Sequence, residues 1–149
     1  MPLPIEIAGG QLDGRVTGAD VYLGVPKVAE PPPGKACKVA KLYVDLVNSG
    51  QFAKLADLFE GDAVLLDQLG KDARGHDQIN AYFLAIGQLT PKVVAVCYVG
   101  DDVDCVVELA TQITLQGQLR YALTSVDHFT LGDGGKIARL VAFGRPLKT

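Results

Sequence analysis

The sequence predicts an α+β domain in which a cone-shaped, bent antiparallel sheet wraps around three N-terminal helices. Two observations carry that expectation. Helical periodicity recurs in three segments between about Lys35 and Ile86, and beyond them the chain turns to long apolar-rich segments separated by short turns. Helices first and a meander afterwards is the order of a sheet that curls over helices, and the concave side of such a sheet is a pocket.

The elements follow in order. Residues 1–34 are rich in proline and glycine, end in Pro31-Pro32-Pro33-Gly34 and hold too few apolar residues for a core of their own. They read as an extension that straps onto the body or onto a partner subunit. The body, residues 35–149, opens with a helix from about Lys35 to Val47, whose stripe is Val39, Ala40, Tyr43, Val44 and Val47. Asn48-Ser49-Gly50 ends it. A second helix, about Gln51–Phe59, is expected to bury Phe52, Leu55, Ala56 and Phe59. Glu60-Gly61-Asp62 then turns the chain into a short strand, Ala63–Leu66, that delivers Asp67. A third helix from about His76 to Ile86 carries Ile79, Tyr82, Phe83 and Ile86. Four strands follow, Lys92–Val99, Val103–Thr114, Leu119–Leu131 and Lys136–Phe143, joined by turns short enough to enforce antiparallel neighbours.

Composition limits the possible functions. The 149 residues, 48% of them hydrophobic, suit one domain with a sizeable core. A net charge of −3 without a Lys/Arg cluster provides no footprint for a nucleic-acid backbone or an anionic membrane. Met1–Ile7 has no basic leader followed by an unbroken apolar run, and no apolar stretch nears the roughly 18 residues of a membrane span, so the expected location is cytoplasmic. Cys37, Cys97 and Cys105 show no metal-ligand spacing and are expected to be free, buried thiols. Cys97 and Cys105 flank the Gly100-Asp101-Asp102 turn and could face one another across paired strands. His76 and His128 lack companion ligands, so no metal is expected. The Gly132–Lys136 run links two strands and reads as a hairpin turn, not a phosphate loop.

Three residues stand out as candidates for chemistry. Alternation along Leu119–Leu131 places Leu123, Ser125, Asp127, Phe129 and Leu131 on one face, which puts a carboxyl among apolar neighbours. A buried Asp is expected to be paired or neutral. Tyr43 lies on the apolar stripe of the first helix and Asp67 ends a strand. Taken singly, Tyr43 is a core tyrosine and Asp67 a turn-forming aspartate. Together, a carboxylate base, a phenol and a second carboxyl in an apolar pocket suit proton abstraction beside a carbonyl.

The stretch from Ala40 to Phe143 resembles the Δ5-3-ketosteroid isomerase family of the cystatin-like, or SnoaL-like, cone superfamily that also includes scytalone dehydratase and nuclear transport factor. Tyr43-Val44-Asp45-Leu46-Val47-Asn48-Ser49-Gly50 resembles that family's Tyr-x-x-Leu-Val-x-x-Gly helix, and Gly75-His76-Asp77-Gln78-Ile79 its Gly-x-x-x-Ile helix start. Val126-Asp127-His128-Phe129 with Gly135-Lys136-Ile137 resembles its penultimate strand and turn. The resemblance implies Tyr43 as oxyanion-hole tyrosine, Asp67 as general base and Asp127 as a protonated oxyanion-hole aspartic acid. It also implies a pocket contributed by Phe59, Phe83, Leu123, Phe129 and Phe143. The implied activity is cofactor-independent and metal-free, moving a double bond into conjugation with the ketone of a 3-oxo-Δ5-steroid or a similar flat, apolar molecule. A homodimer through the face of Thr124, Val126, His128 and Thr130 is expected.

The sequence departs from the family in several places. Gln68 follows Asp67 where proline is usual, Phe59 and Phe83 stand where some members have tyrosines, and Gly144 replaces an aromatic. The alternatives are a non-catalytic binding module of the same fold, or another cone enzyme such as a polyketide cyclase or epoxide hydrolase. The hydrolase expects an Arg and Asp pair one strand earlier, where Glu108 and Thr111 stand.

Overall fold

The computed structural model describes residues 29–146, with the side chains at 114–115, 119–123 and 146 outside that description. The proposed strap of residues 1–34 therefore lies mostly outside the described residues, as does the side chain of Leu123. Helix α1 spans Lys35–Asn48, a 3-10 segment spans Phe52–Leu58, strand β1 Phe59–Leu66, the short β2 Ala73–Arg74 and helix α2 Gly75–Gly87. Strands β3 (Lys92–Gly100), β4 (Asp104–Leu115), β5 (Gln118–Leu131) and β6 (Ile137–Pro146) complete one six-stranded sheet in the order β2-β1-β6-β5-β4-β3.

The sheet holds the expected antiparallel meander from β3 to β6. It becomes mixed because β1 lies parallel to β6, with Leu65 opposite Leu140. The second helix is a 3-10 segment, and Phe59 begins β1 instead of ending that helix. Phe59 is nevertheless buried, along with Phe52, Leu55 and Ala56.

Helix α1 lies across β3, β4 and β5 on the concave face and is tied to the sheet at both ends. At its start, Lys35 N–H donates to Asp102 Oδ1 (3.0 Å) and Ala36 N–H to Asp101 O (3.1 Å). Gly34 adopts φ 128°, and a Cβ there would stand 2.8 Å from Asp101 O, so the approach needs glycine. At its end, the Asn48 side chain donates to Val93 O (2.9 Å) and accepts from Val93 N–H (2.8 Å), completing backbone groups on the edge strand β3.

The cysteine expectation is corrected. Cys37 on α1 and Cys105 on β4 form a disulfide, while Cys97 is free and exposed. Cys105 lies opposite Gly100, and Cys97 opposite Glu108, so the pairing across the turn does not form. A bulge between Ala95 and Cys97 inserts Val96 and reverses which side faces inward, so that Tyr98 is buried and Cys97 points out. Structural disulfides are rare in a reducing cytoplasm, so the Cys37–Cys105 bond does not support the cytoplasmic expectation. Among the described residues, no helix is long and apolar enough to cross a membrane.

A second bulge decides the far end of the site. Leu131 pairs with Ile137, but Thr130 pairs with Arg139, which leaves Ala138 as an extra residue. Beyond it the inward positions of β6 are Leu140, Ala142 and Gly144, opposite Phe129, Asp127 and Ser125. Phe143 is thereby turned to the outer face beside Val126 and is 63% exposed. Its expected place in the pocket is corrected.

Candidate active site

Helix α1, the end of β1, helix α2 and strand β5 bring four polar tips together. Tyr43 projects from α1 beside the buried Ala40, Val44 and Val47, and two aromatic rings hold it edge-on. Phe129 of β5 has its centroid 5.1 Å away and Phe83 of α2 5.8 Å away. Phe59 continues this aromatic wall, 5.8 Å from Phe83. Such T-shaped contacts fix a ring's tilt and hence the direction of its hydroxyl.

Asp127 is 5% exposed, and its Oδ1 has no hydrogen-bond partner among the described residues. It lies between Val107 on β4 and Ala142 on β6, so its surroundings offer little solvation. Burial pushes the carboxyl up to about 7; the Ser125 hydroxyl opposes the rise, and the nearby Asp67 adds to it. Arg139 does not reach it. That residue sits on the opposite face across from Thr130, where its charge favours ionised Asp104. An acid with that midpoint and an unpartnered oxygen is available as a hydrogen-bond donor below about pH 7.

Asp67 has a different setting. Its Oδ1 accepts the Tyr82 hydroxyl at 2.6 Å and its Oδ2 accepts Leu69 N–H at 3.0 Å. Its backbone N–H donates to Asp72 Oδ1 (3.1 Å), and Gly70 N–H closes onto its carbonyl (3.0 Å). Asp67 is therefore a turn former and a carboxylate facing the site at once. Tyr43 is coupled to all of these groups. Burial first, then Asp127, Tyr82 and Asp67, raise its phenol well above the ordinary tyrosine range, so it stays protonated and able to donate.

The structure thus brings Tyr43, Asp67 and Asp127 into one electrostatic neighbourhood, with Phe83 and Phe129 packed on Tyr43 and Phe59 behind Phe83. Sequence reasoning missed the part played by Tyr82, which it placed on the apolar stripe of α2. A phenol in that stripe was the available signal, because a half-buried tyrosine needs a partner for its hydroxyl. It named Gln68 and Gly144 as separate departures but not their contact, the Gln68 side chain lying over Gly144. His128, on the face expected to pair two copies, stands 2.9 Å from Asp104 Oδ1, and the Thr130 hydroxyl donates to that same oxygen at 2.7 Å; this cluster is on the outer face. Among the described residues no group of His, Cys, Asp and Glu could hold a metal ion.

Residues 40–140 match the family model described as a SnoaL-like domain. No curated protein matches the sequence. Similar solved structures include an epoxide hydrolase/cyclase-like enzyme of pyran ring formation in the polyether salinomycin, with 24% identity over 73% of this chain and 89% of that one at a TM-score of 0.66. A protein from Kribbella flavida is 17% identical over 74% of this chain and 87% of its own, with a TM-score of 0.64. A protein described as a polyketide cyclase from Sinorhizobium meliloti is 23% identical over 70% of this chain and 93% of its own, with a TM-score of 0.60. At these identities the likeness concerns the fold.

Proposed function

Because the chain belongs to the SnoaL-like domain family, we propose that it is a proton-transfer enzyme of the cone fold, an isomerase that shifts a carbon–carbon double bond into conjugation with a ketone. The observation that carries this reading is the unlike setting of two neighbouring carboxyl groups. Asp67 accepts hydrogen bonds on both oxygens, as a carboxylate does, whereas Asp127 is buried, short of partners and pushed up to about 7. Carboxyl groups set apart in this way divide the roles of base and acid between them.

In this reading Asp67 removes a proton from the carbon between ketone and double bond. Negative charge then collects on the ketone oxygen, where the Tyr43 hydroxyl and the protonated Asp127 donate. Donors oriented in advance in a site that excludes water lower the barrier most. Asp67 returns the same proton two carbons further along, and no cofactor takes part. The proposed substrate is a flat, apolar ketone such as a 3-oxo-Δ5-steroid, with the buried rings of Phe83 and Phe129 holding Tyr43 from behind and Phe59 packed on Phe83. A homodimer and a small apolar ketone are the proposed partners.

A second reading, another cone-fold enzyme such as a cyclase, draws support from the descriptions of two similar structures. It would use the same acid and base on an alcohol or an epoxide. For a hydrolase of the kind that needs a third charged group from β4, Glu108 is unsuited, because it is exposed on the outer face opposite Val126.

Incubation with a β,γ-unsaturated 3-ketosteroid should produce the absorbance of the conjugated enone. Tyr43→Phe or Asp127→Leu should each slow that reaction by about 10²–10³, the usual cost of one oxyanion donor. Binding of a phenolic enolate mimic without turnover would favour the binding module.

A further inference from the structure

We propose that Tyr82 is the positioning residue of the base: it clamps one oxygen of Asp67 while the β1–β2 turn clamps the other, so that the carboxylate cannot rotate between taking a proton and returning it. The proposal rests on the isomerase reading above. Tyr82 Oη donates to Asp67 Oδ1 at 2.6 Å, the range of a strong O–H···O⁻ bond, and Leu69 N–H donates to Oδ2 at 3.0 Å. Two donors on two different oxygens, one from a helix and one from a turn, define the carboxylate plane. Each oxygen keeps a second lone pair for chemistry.

The clamp is itself braced. The Tyr82 ring meets Phe83 edge-on at 5.3 Å, and Phe83 is buried and in turn braces Tyr43. One helix turn therefore steadies both the base and an oxyanion donor. The phenol also stays protonated, because burial first and the Asp67 hydrogen bond second raise it above the ordinary tyrosine value. A shuttle that collects a proton at one carbon and delivers it to another depends on orientation at both steps, and loosening the base costs rate without costing affinity.

Tyr82→Phe keeps the ring and its Phe83 contact and deletes only the donor. With a 3-oxo-Δ5-steroid as substrate, kcat should fall about 10- to 100-fold while KM stays level. With substrate deuterated at the carbon that loses its proton, less label should reach the product, because a wandering acid exchanges with solvent before it returns the proton. A separate arm needs no turnover: in protein labelled with 13Cζ-tyrosine, the Tyr82 resonance at neutral pH should move in Asp67→Ala, because the phenol loses the carboxylate it donates to. Unchanged kcat and label transfer in Tyr82→Phe would overturn the proposal and leave the isomerase reading standing. A Tyr82 resonance indifferent to Asp67→Ala would overturn it whatever the substrate. Failure of the unsubstituted protein to convert any such ketone would instead reject the isomerase reading, and the NMR arm would still decide the clamp.

Discussion

The carboxamide of Gln68 lies over the backbone of Gly144, so closely that a Cβ at 144 would stand 2.7 Å from Gln68 Oε1 and 2.8 Å from its Cδ. Gly144 faces inward opposite Ser125, two residues along β5 from Asp127. The two departures from the isomerase pattern thus compensate one another: the glycine opens a space and the glutamine fills it. Gly144→Ala should displace only the far end of a flexible side chain, costing less than about 1 kcal/mol in thermal unfolding. Its effect should appear as a changed KM for the ketone, because the displaced amide lies on the same side of the sheet as Asp127.

Asp67→Asn should fold and bind a phenolic ligand yet lose several orders of magnitude in kcat, since the proton acceptor itself is gone. Circular dichroism and ligand titration check the first two statements, and near-native turnover would exclude Asp67 as base.

The Asp127 carboxyl sets a pH limit on both activity and stability. Its midpoint rises from 3.8 to about 7 in the fold. Activity that needs the protonated acid should therefore decline as pH rises through about 7. For stability, the unfolded chain gives up this proton near 4 and the folded one near 7. Asp127 accordingly contributes full stability below about pH 4, and that contribution is lost as pH rises to about 7, a change of about 4 kcal/mol. Asp127→Asn should flatten this slope in denaturant titrations between pH 4 and 8.

The Cys37–Cys105 disulfide closes a loop with a sequence separation of 68 residues. Constraining the unfolded chain over that length corresponds to about 4 kcal/mol. The double variant Cys37→Ala, Cys105→Ala should show a lower denaturant midpoint. Because Cys105 neighbours Phe129, which packs on Tyr43, its kcat should fall as well.

On the outer face, Phe143 is 63% and Val126 39% exposed, and the two residues lie opposite each other. An apolar pair of this kind at the middle of a sheet suits a two-fold contact with a second copy. Light scattering should give a dimer at micromolar concentration, and Phe143→Glu should give a monomer.

The sequence by itself determined whatever depends on short-range period. The stripe of α1 aims Tyr43, and alternation along β5 turns Ser125, Asp127 and Phe129 to the concave side, because side chains repeat every 3.6 residues on a helix and every two on a strand. The helix-then-meander order and the cone architecture were legible for the same reason. Tertiary structure decided what a single residue of offset or a distant partner controls. The extra residues Val96 and Ala138 reverse the facing of all that follows on their strands, sending Cys97 and Phe143 outward and Gly144 inward. Periodicity contains no sign of where a bulge falls. Likewise, the parallel seat of β1 beside β6, the Cys37–Cys105 bond and the Tyr82 hydroxyl on Asp67 each join segments whose separation along the chain carries no local signal; they exist because packing brings those atoms within reach.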